Sequence, residues 1–354
     1  YRNSTKIPSQ GKKIEWEVKE ADQVLDTFSL KTVESGTQSV LLGGLLSSGL
    51  KLNNNHQMQV TYAHSRAGKS ESKIERGFNN SVVDIADFRN GTEQLVSEGL
   101  RFVERSTNYV QILGKHAFYI GYTTPQLQWK GAFTRGVQNE PDRRTLTYIY
   151  KNKTGEFEID RSKHELPSRI FRDQEERQGF GHLTLSVPFW QWSEDSGSVA
   201  LGCSYSGMSS SFRNRAFSYN VSKDYQSSID NRTPSEMFTN ENIGLVVTST
   251  GDTLRGITLK DETNERANFD ANGMNANGFI RIHLPITSQF SLMNGYQITH
   301  VRQMGASIEP EWKEDTRSEL DYLGILPAVA MSYKVKEHLL FKMSLCSSCV
   351  RIRI

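Results

Sequence analysis

Between His182 and Ser206, apolar residues fall on every second position, stop at a short polar turn, and resume in the same rhythm. Leu183, Leu185, Val187 and Phe189 would share one face with Val199, Leu201, Cys203 and Tyr205 across the "SEDSG" turn. A period of two over such lengths predicts strands whose two faces meet different surroundings. The pattern recurs. In "QLQWKGAFTR", Leu127, Trp129, Gly131 and Phe133 alternate with Gln128, Lys130, Ala132 and Thr134. In "FIRIHLPI", Ile280, Ile282, Leu284 and Ile286 alternate with Arg281 and His283, and "FSLMNGYQITH" returns with Phe290, Leu292, Tyr296 and Ile298 on one side. No helical spacing is sustained. Pro188 and Pro285 fall near strand ends, where a missing ladder donor does little harm.

Compact polar turns are predicted at 51–57, 193–197, 285–289 and 334–338, with a less clear one at 115–126. Long polar loops are expected at 67–97, 136–181, 208–272 and 303–318. One end of the sheet would thus carry tight turns and the other extended loops. A soluble sandwich would have short loops at both ends and strands about every 8–12 residues. Antiparallel outer-membrane barrels have the asymmetry seen here, with an apolar outer band and a polar interior. On that reading Leu183, Leu185, Val187 and Phe189 face lipid, while Thr184 and Ser186 face a lumen. Trp190, Trp192 and Tyr205 are candidate interface aromatics, with ordinary sheet aromatics as the alternative.

Composition fits a thin wall better than a thick core. Of 354 residues only 36% are hydrophobic, yet there are 13 Tyr, 17 Phe and 5 Trp. No run approaches the roughly 18 apolar residues of a membrane helix, "VLLGGLL" being the longest approach. A barrel strand needs only about ten residues with one apolar side. With 42 Lys plus Arg against 40 Asp plus Glu, nothing in the bulk charge favours nucleic acid.

The candidate chemistry is thin. Cys346 and Cys349 form a CxxC without a second ligand pair or a βαβ context, so no metal or redox site is expected. "AHSRAGKS" (63–70) approximates a phosphate loop with Ala63 in place of the first Gly. The following "ESKIERG" offers only Ile74 as an apolar residue, so no helix can open there, and a basic extracellular loop tip is expected instead. Glu140, Asp142, Arg143 and Arg144 read as a solvated charge cluster at a loop base. His56, His64, His116, His164, His182, His283, His300 and His338 show no ligand spacing, and there is no Gly-x-Ser-x-Gly elbow. The expectation is therefore no enzyme, with no catalytic, cofactor-binding or metal residue. Phe212, Arg213, Arg215, Phe217, Tyr219 and Tyr225 either meet a solute from outside or continue a strand, and no substrate contact is assigned.

Five segments, in order, resemble the barrel of TonB-dependent outer-membrane receptors: "LRFVERSTNYVQILGKH" (100–116), "EPDRRTLTYIY" (140–150), "SVALGCSYSGMSSSFRNRAFSY" (198–219), "PSEMFTNENIG" (234–244) and "SELDYLGILPAVAMSYKV" (318–335). The resemblance implies an all-β, antiparallel transmembrane β-barrel portion over 1–341, about ten strands of a larger barrel, with short periplasmic turns and long extracellular loops. It further implies a receptor in the cell outer membrane for a scarce or bulky solute of the siderophore, cobalamin or oligosaccharide class, energised by the TonB complex through a plug. Departures are clear. The chain opens at Tyr1, no plug or TonB-contacting box is found, and 342–354 ("KMSLCSSCVRIRI") is atypical, as a truncated or frame-shifted end would be. The chain is expected to be the middle part of a longer receptor. The alternatives are a plug-less passive porin and a secreted, soluble all-β binding module.

Overall fold

The computed structural model describes residues 2–19, 24–159, 166–192, 195–222, 225, 229, 232–247, 251–264, 267–307, 317–336 and 339–347. The chain runs up and down through β1 (Arg2–Lys19), β2 (Val24–Lys51), β3 (His56–Asn79), β4 (Glu93–Ala117) and β5 (Gln126–Lys151). The short β6 (Glu156–Glu158) pairs with the end of β5. Then come β7 (Ser168–Phe189), β8 (Gly197–Val221), a small ribbon of β9 (Leu245–Val247) and β10 (Thr253–Arg255), and β11 (Ile257–Asp261), which pairs with β8. The path closes with β12 (Phe269–Pro285), β13 (Phe290–Ser307), β14 (Arg317–Lys336) and β15 (Leu339–Cys346). Eleven of these form one antiparallel meander, β1-β2-β3-β4-β5-β7-β8-β12-β13-β14-β15, close to the ten expected. The fold is all-β and of the barrel-wall kind.

The asymmetry of the two ends is present. Connections at 52–55, 118–125, 190–196 and 286–289 are short, while those at 80–92, 152–167 and 222–268 are long. The long ones are nevertheless shorter than the sequence suggests. Residues 67–79, 136–151, 168–181, 208–221 and 303–307, expected as loop, belong to strands. Polar or mixed side chains occupy both faces of much of these stretches, so the period of two is hidden and the backbone ladder extends them; the ends at Phe78 and Ile149 also pack in a small apolar cluster. At the other end, β15 runs through residues 342–346, so the expected break after 341 falls inside a strand.

No second layer covers the sheet among the described residues. Among the described residues, substantial contacts of the long strands run only to sheet neighbours, apart from a helix α1 (Ile85–Arg89) that touches the ends of β3 and β4. The two apolar clusters are small and sit at the long-loop end. Phe78, Val83, Leu95 and Ile149 pack under α1. Tyr225, Ile229, Met237 and Ile257 of the 222–268 connection, which also carries α2 (Pro234–Met237), pack with Ile159 of the 152–167 connection. None of the described helices is long and apolar enough to cross a membrane.

Candidate membrane-facing wall

Register fixes which side chains share a face. Leu183 pairs with Cys203, Leu185 with Leu201 and Val187 with Val199. Toward the start of the chain the same face continues through Trp129 and Leu127, then Val110 and Ile112, then Tyr62 and Val60, and then Leu46. Toward its end it continues through Ile280 and Ile282, then Tyr296 and Ile298, then Ile325, then Met343 and Leu345. Ten neighbouring strands thus contribute to one apolar band, on the order of 40 Å wide at about 4.8 Å per strand. It is bare: Leu46 is 71% exposed and Leu345 75%.

The band has borders. In β7 the apolar run from Phe189 to Leu183 passes through Gly181 and Gly179 and stops at Arg177, roughly the ten residues that a tilted membrane strand needs. Beyond it, on the same face, charges pair across strands and, for Arg177 with Glu175, along one. Glu175 accepts from Arg135 and Arg177 (2.7 Å each), Glu104 from Arg66 (2.7 Å) and Glu319 from Arg302 (2.9 Å), while Asp270 accepts two bonds of 2.8 Å from Arg213. These groups lie outside the apolar segments. Arg135, then Arg177, hold the Glu175 carboxyl below its ordinary value, and Arg66 does the same for Glu104.

At the short-turn border, rings with a polar edge collect. Trp129 Nε1 donates to His116 Nε2 (3.0 Å), which leaves His116 Nδ1 to donate to His56 Nδ1 (3.2 Å). The Trp129 indole lies across Gly114, where a Cβ would overlap it. Trp190 and Trp192 are exposed in the 190–196 connection, and Trp192 Nε1 donates to the Ile286 carbonyl (3.1 Å). Such rings suit a hydrocarbon-water boundary because one part is apolar and the other hydrogen-bonds.

The opposite face is polar and crowded. Lys130 pairs with His182, His182 with Ser204, and Ser204 with Asn277. Asn277 Nδ2 donates to Ser204 Oγ (3.2 Å), and its Oδ1 accepts from Gln297 Nε2 (3.1 Å) and from Thr299 Oγ1. Here Thr299 is 4% exposed and Ala200 2%, against the bare apolar face behind them. Side chains converge on one face and splay on the other, as in a sheet curled with its polar face inside. Thr184 and Ser186 sit on this inner face.

Several expectations need correction. Residues 63–70 are neither a loop tip nor a phosphate cradle; they lie in the middle of β3, paired residue by residue with β2 and β4. Glu140 and Asp142 are not a solvated cluster. A bulge in β5 between Glu140 and Arg143 separates them. Glu140 is fully buried, accepting from Arg101 Nε (3.0 Å) and Nη2 (3.3 Å), with Arg172 3.8 Å away. Asp142 accepts two bonds from Arg169 (3.0 and 2.8 Å) and one from Arg144 (2.6 Å). Burial pushes the Asp142 carboxyl up, but Arg169 and Arg144 together outweigh it and hold it below the ordinary value. The two carboxylates share no partner, so they make no acid/base pair.

Phe212, Arg213, Arg215, Phe217 and Tyr219 continue β8, the strand alternative of the sequence reading. Tyr225 is in the connection but buried, its hydroxyl bonded to Asn242 Oδ1 (2.6 Å). The remaining histidines stay apart. His64 Nδ1 meets Asn108 Oδ1 (2.9 Å), His300 Nε2 meets Asp321 Oδ1 (2.9 Å), and His283 lies on the inner face of β12. His164, His338 and Cys349 lie outside the described residues, and Cys346 ends β15. Among the described residues no three His, Cys, Asp or Glu side chains stand close enough to hold a metal.

Sequence reasoning missed one constellation, the rings of Phe180, His182 and Phe279, which the fold brings into a row on the inner face. The signal was present in "GFGHLT", where Phe180 and His182 sit in the polar phase of an otherwise alternating strand.

No family model matches the chain, and no curated protein does. Among solved structures it is similar to the siderophore receptor PiuA from Acinetobacter baumannii, at 7% identity over 94% of this chain and 48% of that one, with a TM-score of 0.39. It is also similar to the translocator domain of the autotransporter NalP from Neisseria meningitidis, at 10% identity over 96% and 80%, with a TM-score of 0.25. The chain spans about half the length of the siderophore receptor. The fold assignment rests on the strand pairing and not on these likenesses.

Proposed function

We propose that the chain forms a wall of an outer-membrane β-barrel transporter, with lipid against its apolar face and a passage along its polar face. One observation carries this reading: a bare apolar band crosses ten adjacent strands, and the face behind it is polar and crowded. Soluble monomers rarely expose apolar patches beyond a few hundred Å². In hydrocarbon the same band is stabilising, by about 1.5–3 kcal/mol for each large side chain taken out of water. The antiparallel ladders meanwhile satisfy the backbone groups that lipid cannot.

The finer reading is TonB-energised uptake of a scarce or bulky solute of the siderophore, cobalamin or oligosaccharide class. Its support is the ordered set of receptor-like segments between 100 and 335. In that arrangement the loop end meets the solute, lipid surrounds the band, and an inner-membrane complex acts through a plug. No chemistry is done on the solute.

Fractionation of cells producing the full-length gene product tests the reading. Recovery from outer membranes only with detergent supports it; native protein in the aqueous phase supports a secreted binding module instead. A stable open conductance in planar bilayers, without removal of any plug, supports a passive porin.

A further inference from the structure

We propose that the inner face carries a binding platform for small anionic solutes bearing a flat ring, built from Phe180, His182 and Phe279 beside Lys130. The inference rests on the polar face lining a passage. Phe180 and His182 are two residues apart on β7 and so project from the same face. Phe279 comes from β12, with β8 lying between. Its ring lies across β8 because position 202 is glycine; a Cβ there would overlap the ring.

The rings are nearly parallel. Phe180 and His182 have centroids 6.4 Å apart at 7°, and His182 and Phe279 have centroids 6.3 Å apart at 15°. At this spacing they are offset neighbours and not a closed sandwich, and the Lys130 ammonium lies over the Phe180 ring, which leaves Phe279 and His182 as the stacking surface. Phe279 has the wall at Gly202 on one side and the passage on the other. Thr184 Oγ1, 2.8 Å from His182 Nε2, fixes the imidazole, and Lys130 Nζ stands 5.7 Å from the Phe180 centroid.

Charge sets the sign of the guest. At this height the inner-face positions of eight strands, within 57–61, 111–117, 126–132, 180–188, 198–206, 275–283, 293–299 and 324–330, hold Lys115, Lys130, Arg281, His182 and His283 and no Asp or Glu. A low-dielectric wall focuses that one-signed field into the passage. A ring-bearing anion gains both stacking and Coulomb attraction. A neutral ring gains only stacking, and a ring-bearing cation is repelled.

The test is fluorescence titration of the full chain, folded in detergent, with 1-naphthoate, 1-naphthalenemethanol and 1-naphthylmethylammonium. The expected order is anion over neutral over cation. Lys130→Gln should weaken 1-naphthoate about five- to tenfold and leave the alcohol unchanged, while Phe279→Ala should weaken both by a similar factor. Gly202→Val should mimic Phe279→Ala by displacing its ring; should that variant fail to fold, the Lys130→Gln split still decides. Equal affinity for the three probes, or naphthoate binding indifferent to Lys130→Gln and Phe279→Ala, overturns the platform. Binding by a chain that never enters a bilayer would overturn the membrane reading alone, and insertion without binding would overturn the platform alone.

Discussion

Arg101 grips Glu140 through two hydrogen bonds, Nε to Oε1 at 3.0 Å and Nη2 to Oε2 at 3.3 Å, and the carboxylate it holds is fully buried. Arg172 approaches the same carboxylate and also donates to Asn214 Oδ1 (2.9 Å), so one acid ties β4, β5 and β7 together above the apolar band. Glu140→Gln leaves two guanidinium groups facing a neutral amide. Breaking a buried pair in this way costs about 3–5 kcal/mol, and the partial exposure of both arginines brings the expectation to about 2–3 kcal/mol. The urea midpoint of refolded protein reads this directly, and Arg101→Lys, which keeps the charge but cannot make the two-point contact, should cost only part as much.

Asp142 gives the wall a pH dependence outside the membrane segment. Its carboxyl is held below the ordinary value near 3.8, so its contribution is complete above that value and is lost as pH falls through the lower, folded-state value. Asp142→Asn should therefore be less stable than the parent at neutral pH, and the gap should close as pH drops below about 4. Urea midpoints at pH 7 and at successively lower pH test this; a gap that stays constant would show that Arg169 and Arg144 do not set it.

Trp129 and His116 form the ring pair at the short-turn border. Trp129→Phe removes the indole donor and leaves the His116 Nε2 acceptor to water, at a cost of about 1 kcal/mol. Gly114→Val should cost more, about 1–3 kcal/mol, because the new side chain occupies the place of the indole. Brominated lipids should quench parent fluorescence more strongly than that of Gly114→Val, in which the indole is displaced from its place across residue 114.

What could be read from the sequence was the part of each strand inside the apolar band. Leu183, Leu185, Leu201, Ile280 and Ile298 announce a period of two because their environment differs between faces. Residues 67–79 of β3 show no clean period of two, since both their faces are rich in polar or mixed side chains, and for the same reason the sequence left Phe212 to Tyr219 of β8 open between loop and strand. Nor was the burial of Glu140, whose partners Arg101 and Arg172 come from neighbouring strands. The reach of Phe279 over Gly202 depends on the register of β12 against β8, which no local pattern encodes.

Substitutions on the two faces should diverge. Leu185→Arg places a cation on the apolar face and should cost about 2–4 kcal/mol near the bilayer midplane. Thr184→Arg, one residue away on the inner face, should fold normally and alter only what passes. Heat-modifiable migration in gels separates the two variants.

The most direct test scans 182–190 with single cysteines carrying a nitroxide, after replacement of Cys203, Cys346 and Cys349 by Ser, in protein reconstituted into lipid. Oxygen accessibility should peak at 183, 185, 187 and 189 and a polar relaxation agent should favour 182, 184 and 186, a strict alternation. Uniform accessibility to the polar agent at all positions, or protection of 183, 185 and 187 from both reagents, would contradict a wall with lipid on its apolar side.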